Sequence, residues 1–144
     1  MKPSALDLTA LRAALTSLDE ALSIVDDRAW LERQADKVRN TLVAGVVQNF
    51  EFVYEVGVKM LRRRLTLDAA NPGEVAALNF RDLVRLGGQA GLVEDVRAWF
   101  NYREMRNLTA HTYDPAKARA IREGASALAK DARSLLDRLE AANG

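Results

Sequence analysis

Leu8, Leu11, Leu15, Leu18, Leu22 and Val25 follow one another at spacings of three and four residues. A helix with about 3.6 residues per turn puts all six on one side; a strand, with its period of two, does not. A second stripe, Val38, Leu42, Val46, Phe50, Val53, Gly57, Met60 or Leu61, and Leu65, predicts a long helix. Its end is expected at the basic run Arg62-Arg63-Arg64, where positive charge suits the C-terminal pole of the helix dipole. Between the two stripes the pattern breaks at residues 26–31. Within the second, NFEFVYEV alternates like a strand, but helical spacing continues on both sides without a turn residue. It is therefore read as helix, with aromatic residues on two faces that need two partners to bury them.

Asn71-Pro72-Gly73-Glu74 has the pattern of a helix start, with Asn71 as cap, Pro72 at the first position and Glu74 completing a capping box. That helix is expected to carry Val75, Leu78, Phe80, Leu83 and Leu86, and to stop near Gly87-Gly88. Another begins around Val93 and carries Val96, Trp99, Phe100 and Arg103. Asp114-Pro115 opens the last helix, with Ile121, Ala125, Leu128, Ala132, Leu135 and Leu139 in one stripe. The chain is thus expected to be all-α: an antiparallel up-down bundle of four main helices plus a short extra helix, with residues 1–144 forming a single domain.

Composition narrows the function. With 21 basic residues against 20 acidic ones, no overall charge draws the chain to duplex DNA or to an anionic membrane. There is no cysteine, hence no disulfide, no zinc-finger spacing and no thiol nucleophile. One histidine excludes a histidine-rich metal site within one chain, so neither metal nor cofactor is expected. The apolar run Leu42–Val47 is too short to span a bilayer, and MKPSALDLTALRAAL breaks its apolar pattern with Asp7 and Arg12, unlike a signal peptide. The expected location is the cytoplasm.

The lone histidine, His111, lies in RNLTAHTYDP, Arg106 to Pro115. On a straight helix Arg106 and His111 would lie about 140° apart, but Asp114-Pro115 implies that the helix is already ending there. A terminal turn can swing the imidazole back toward Arg106 or toward the arginine of a second subunit. Trp99, Tyr102, Arg103 and Arg106 form an aromatic and cationic stripe leading to it. Arginine grips phosphate with a planar fork, and histidine moves protons near neutral pH, a pairing suited to phosphodiester chemistry without a metal. The structural alternative is that the dipole alone favours a histidine at a helix end, with Tyr113 as a hydrophobic anchor. Gln48, Glu51, Glu55 and Lys59 likewise form either a solvated face or, through Glu51 or Glu55, a wall behind Arg106.

The spacing Arg106-Asn107-x4-His111-Thr112-Tyr113 resembles the R-x4-H-x-Y motif of HEPN proteins, and in particular their HepT-like branch of nucleotidyltransferase substrate-binding proteins. QNFEFVYEVGVKML is similar to that branch's second-helix signature. NPGEVAALNFRDLVRLGGQAGLVEDVRAWFNYREMRNLTAHTYDP is similar to its third and fourth helices. Two departures stand out: Ala110 replaces a frequent serine, and Gly57-Val58 replaces a bulkier pair. The resemblance implies a homodimer with the active site near the dimer interface, and an MNT-type nucleotidyltransferase partner. In one version the chain is a metal-independent ribonuclease toxin acting on RNA, tRNA included, and its antitoxin silences it by adding AMP to Tyr113. In the other it is a non-catalytic subunit that binds nucleotide or substrate for a nucleotidyltransferase. Cleavage by the RNA's own 2′-hydroxyl needs a base and an acid, so a one-histidine chain points to a dimer that brings two copies of His111 together. The expected roles are His111 for proton transfer, Arg106 for the phosphate and Asn107 for orientation. Tyr102, Arg103, Glu51 and Glu55 are weaker candidates for substrate binding.

Overall fold

The computed structural model describes residues 5–111 and 114–144, without the side chains of His111 and Pro115. Among the described residues seven helices follow in order: α1 (Thr9–Val25), α2 (Arg28–Glu32), α3 (Asp36–Asp68), α4 (Pro72–Ala76), α5 (Phe80–Gln89), α6 (Val96–Leu108) and α7 (Pro115–Ala142), with a 3-10 turn at Thr109–His111. The described residues include no strand. No helix among them is long and apolar enough to cross a membrane.

The four longest helices make the bundle. Arg12 of α1 pairs with Glu140 of α7, and Asp19 with Arg133, so these two run antiparallel. Arg106 of α6 reaches Glu55 of α3 while the earlier Trp99 lies over the later Gly57, which makes α3 and α6 antiparallel as well. α3 and α7 run the same way, since Gly57 lies by Leu135 and Arg64 bonds Asn143. This is the direction pattern of an up-down-up-down chain. Every residue of the α7 stripe is buried, as are the α1 stripe and the α3 stripe from Val46 to Leu65.

Several boundaries differ from the sequence expectation. The segment after Asn71 forms two short helices, not one, because Asn79 starts a new helix by accepting the Asp82 N–H at 2.9 Å. Asn71 makes no side-chain cap bond, so the expected capping box is not closed. α5 passes through Gly87-Gly88 and ends at Gln89; Gly91 then takes a left-handed φ of 78° and Leu92 N–H returns to Gly87 O at 2.9 Å. Phe50 and Tyr54 are buried, but Phe52 remains 52% exposed, so one aromatic face of α3 has no cover among the described residues.

The basic run does not end its helix: α3 continues to Asp68 and no basic residue lies in its last turn. Its three arginines have separate environments. Arg62 donates to the carbonyls of Val75, Ala76 and Leu78 at 3.3, 3.3 and 2.8 Å, satisfying the end of α4. Arg64 is buried against Asp68, and only Arg63 faces outward.

Candidate functional site

α6 sets the site. Its start is fixed by Asp95, whose carboxylate accepts the Ala98 N–H at 3.0 Å. Trp99 anchors it to α3: a Cβ on Gly57 would lie 3.3 Å from the indole, so the small residue lets the two helices approach closely. The narrow Gly57 on α3 thus faces a bulky side chain on α6.

Tyr102 belongs to this inner side and not to a ligand surface. It is 3% exposed, stacks edge-on against Trp99 with ring centroids 5.6 Å apart, and donates its hydroxyl to Asp131 of α7. Burial, then the Asp131 bond, raise its pKa far above the ordinary tyrosine value. The expectation that Tyr102 contacts nucleotide is therefore corrected. It lies about 100° from Arg103 around the helix, and that step divides core from surface.

Arg106 lies in the last turn of α6 with its side chain 35% exposed. Its Nε and Nη2 both donate to Glu55 Oε1, at 3.1 and 2.9 Å, and Glu51 Oε2 stands 3.7 Å from Nη2. The Glu55 hydrogen bonds raise the arginine's pKa further, with Glu51 adding to the effect, so the group is a permanent cation. Thr109, which the sequence reading passed over, holds the other side. Its Oγ1 accepts from Arg106 Nη1 at 3.2 Å and donates to the Arg106 carbonyl at 2.7 Å. The only sequence cue was a hydroxyl three residues after the arginine, within one helical turn.

Tyr54 is a second neighbour that the sequence did not single out. Burial raises its pKa, while the positive charges of Arg103 and Arg106 oppose that shift. Tyr54 directly precedes Glu55, the residue that Arg106 bonds, and its ring meets Phe80, on which Arg103 lies. Glu55 stands between two grooves on α3: one of about 580 Å³ against α1, lined by Gln48, Glu51 and Phe52, and one of about 630 Å³ lined by Tyr54, Val58, Lys59 and Arg63. Asn107 is exposed next to Arg106. Arg103 is exposed as well, its guanidinium carbon 4.8 Å from the centroid of Phe80.

After Leu108 the helix tightens into the 3-10 turn whose last residue is His111, so the backbone changes course between Arg106 and the histidine. The His111 side chain, Thr112 and Tyr113 lie outside the described residues. Asp114 then caps α7, its carboxylate accepting the Ala116 N–H at 2.9 Å. The structure thus brings together Arg106, Glu51, Glu55, Thr109 and Tyr54, leaves Arg103 and Asn107 on the open side, and withdraws Tyr102 into the core.

Residues 6–141 match the family described as nucleotidyltransferase substrate binding protein like, and the chain belongs to that family. It is 43% identical over 121 residues to the probable ribonuclease HepT of Haemophilus influenzae, covering 84% of this chain and 83% of the relative. A solved Haemophilus influenzae protein, described as revealing the fold of a substrate binding domain of a nucleotidyltransferase, superposes with a TM-score of 0.89 at 40% identity, over 93% of this chain and 99% of that one. A Thermus thermophilus crystal structure follows with a TM-score of 0.62 at 26% identity, over 85% and 98% of the two chains.

Proposed function

We propose that the chain, acting as a single HEPN-type domain, is a metal-independent ribonuclease of the HepT kind, the toxin of a pair whose antitoxin is an MNT-type nucleotidyltransferase. The observation that carries this reading is Arg106: a partly exposed guanidinium at the end of α6, fixed by Thr109 and Glu55, five residues before the chain's one histidine. Its similarity to a probable ribonuclease supports the same reading.

In this scheme one His111 takes the proton of the ribose 2′-hydroxyl, whose oxygen attacks phosphorus. The bond to the 5′-oxygen breaks, and the second His111 of a homodimer gives that oxygen a proton. A 2′,3′-cyclic phosphate and a 5′-hydroxyl result. Arg106 balances the charge that builds on the phosphoryl oxygens, and Asn107 orients the phosphate or the imidazole. Glu55 must yield part of the guanidinium as phosphate arrives, a modest demand for an ion pair open to solvent. Phe52, exposed beside Glu51 and Glu55, is a side chain that a second subunit would cover.

The partner would silence this site by transferring AMP from ATP to the Tyr113 hydroxyl, with pyrophosphate leaving. The new phosphodiester places negative charge and bulk where RNA phosphate should lie. Expression should arrest growth and cleave RNA, and His111→Ala or Arg106→Ala should relieve the arrest and sharply lower the cleavage. Co-expression with an active partner should add one adenylyl mass to the Tyr113 peptide. Unchanged cleavage in both variants would favour a second reading, a non-catalytic subunit that presents substrate to a nucleotidyltransferase. The family's substrate-binding description supports that second reading.

A further inference from the structure

Along the outer side of α5 and α6, arginines lie on aromatic rings. Arg103 stands over Phe80 at 4.8 Å, while Arg81 and Arg85 stand over Phe100 at 4.7 and 5.6 Å. The rings are continuous: Phe80 meets Phe100 edge-on at 6.2 Å between centroids, and Tyr54 meets Phe80 at 6.0 Å. All three arginines are exposed. The row therefore begins at Tyr54, the residue before Arg106's partner Glu55, and Arg103 lies one helical turn before Arg106 on α6.

Most acidic groups of this segment are drawn elsewhere. Asp95 caps α6, and Glu94 accepts from Ser134 and faces Arg138 on α7. Glu104 is about 100° from Arg103 around the helix. Among the described residues, only Asp82 pairs with a member of the row, at 3.6 Å from Arg85. Positive charge thus gathers on one strip of a chain with almost none overall.

A guanidinium lying on a ring has fewer rotamers to lose on binding, yet its edge N–H groups stay free for phosphate. Its other face can receive a base, a common device for holding unstacked RNA. We propose that Arg81, Arg85 and Arg103, laid on Phe80 and Phe100, form a track that holds single-stranded RNA and leads it to Arg106. This rests on the ribonuclease reading of the Arg106 site and names where its substrate runs.

The test uses the full-length chain carrying His111→Ala, so that RNA stays intact, with and without Arg81→Gln/Arg85→Gln. Both added changes are on the surface, and thermal melting checks that the fold is unaltered. Binding of a fluorescent mixed-sequence RNA oligonucleotide is followed by anisotropy through a salt series. The expected result is roughly ten-fold weaker binding, uniform across sequences, with the log-log salt slope reduced by about 1.4 for two lost phosphate contacts. Equal affinity and equal slope would overturn the track, while RNA cleavage by the unmutated chain would leave the ribonuclease reading standing. Unchanged RNA binding with lost capture of the nucleotidyltransferase partner would also overturn it, assigning the strip to a protein surface. If the unmutated chain cleaves no RNA and the His111→Ala chain binds none, the reading beneath the track has failed, and the track with it.

Discussion

Arg64 and Arg106 are both helical arginines held by a carboxylate, and they do opposite things. Arg64 is 1% exposed; its Nε and Nη2 bond the two oxygens of Asp68 at 3.1 and 2.6 Å, and its Nη1 bonds Asn143 Oδ1 at 3.0 Å. Asn143 in turn pairs with both the N–H and the carbonyl of Leu6 at 2.9 Å. One buried guanidinium thus ties the end of α3 to both ends of the chain. Arg106 has the same chemistry with a third of its side chain open, and carboxylates that water can reach. Burial turns an arginine–carboxylate pair into structure, whereas exposure leaves it exchangeable for another anion.

The comparison breaks most visibly at Arg106. Arg106→Ala should lower RNA cleavage by about 100- to 1000-fold, the usual cost of losing a group that balances transition-state charge. Stability should change by less than about 1 kcal/mol. A large drop in the urea midpoint would mean that Arg106 is also structural, and the contrast with Arg64 would fail. Arg64→Ala should do the reverse. Removing one partner of a buried pair costs about 3–5 kcal/mol, reduced here to about 2–4 because Asp68 remains half exposed and can be hydrated. Equilibrium urea unfolding measures that loss, and RNA cleavage by the fraction still folded should persist.

This division explains what the sequence could disclose. Leucine and alanine stripes such as Ile121 to Leu139 were legible because burying an apolar face is an average property of a whole helix. The partners of Arg106 were not, since Glu51 and Glu55 are about fifty residues away and meet it only once α3 and α6 pack. Their stripe could equally have been a solvated face. Trp99, Tyr102, Arg103 and Arg106 read as one functional stripe because spacings of three and four admit two adjacent faces; packing against Gly57 and Asp131 separated them. The break at Asn79 and the stop at Gly91 went unseen because Asn71 and Gly87-Gly88 carried equally good local signals. His111 was legible as a proton carrier from its place after Arg106, whereas Tyr113 as a modification site was legible only through resemblance.

Tyr102 and Arg103 repeat the contrast between neighbours. Tyr102→Phe should cost about 1 kcal/mol at neutral pH by removing the bond to Asp131. It should also change the alkaline limb. The unfolded chain's tyrosine ionises near pH 10, whereas burial and Asp131 hold the folded phenol neutral to higher pH. The stability this group supplies is complete below about pH 10 and is lost as pH rises toward the folded value. Urea midpoints from pH 8 to 11 should therefore fall more steeply for the unmutated protein than for Tyr102→Phe. Parallel curves would show that Tyr102 ionises as freely in the fold as outside it.

The smallest effect concerns the hold on Arg106 itself. Glu55→Gln keeps an oxygen in place for Nε and Nη2 but removes the charge that a phosphate must displace. Because both side chains are at least a third exposed, the pair is worth no more than about 1 kcal/mol, so RNA should bind up to about five-fold more tightly. Stability should shift by less than about 0.5 kcal/mol. Weaker binding would show instead that the Glu55 charge aims the guanidinium rather than competing for it. Arg106 would then depend on its carboxylate for geometry, as Arg64 does, and only their exposure would separate them.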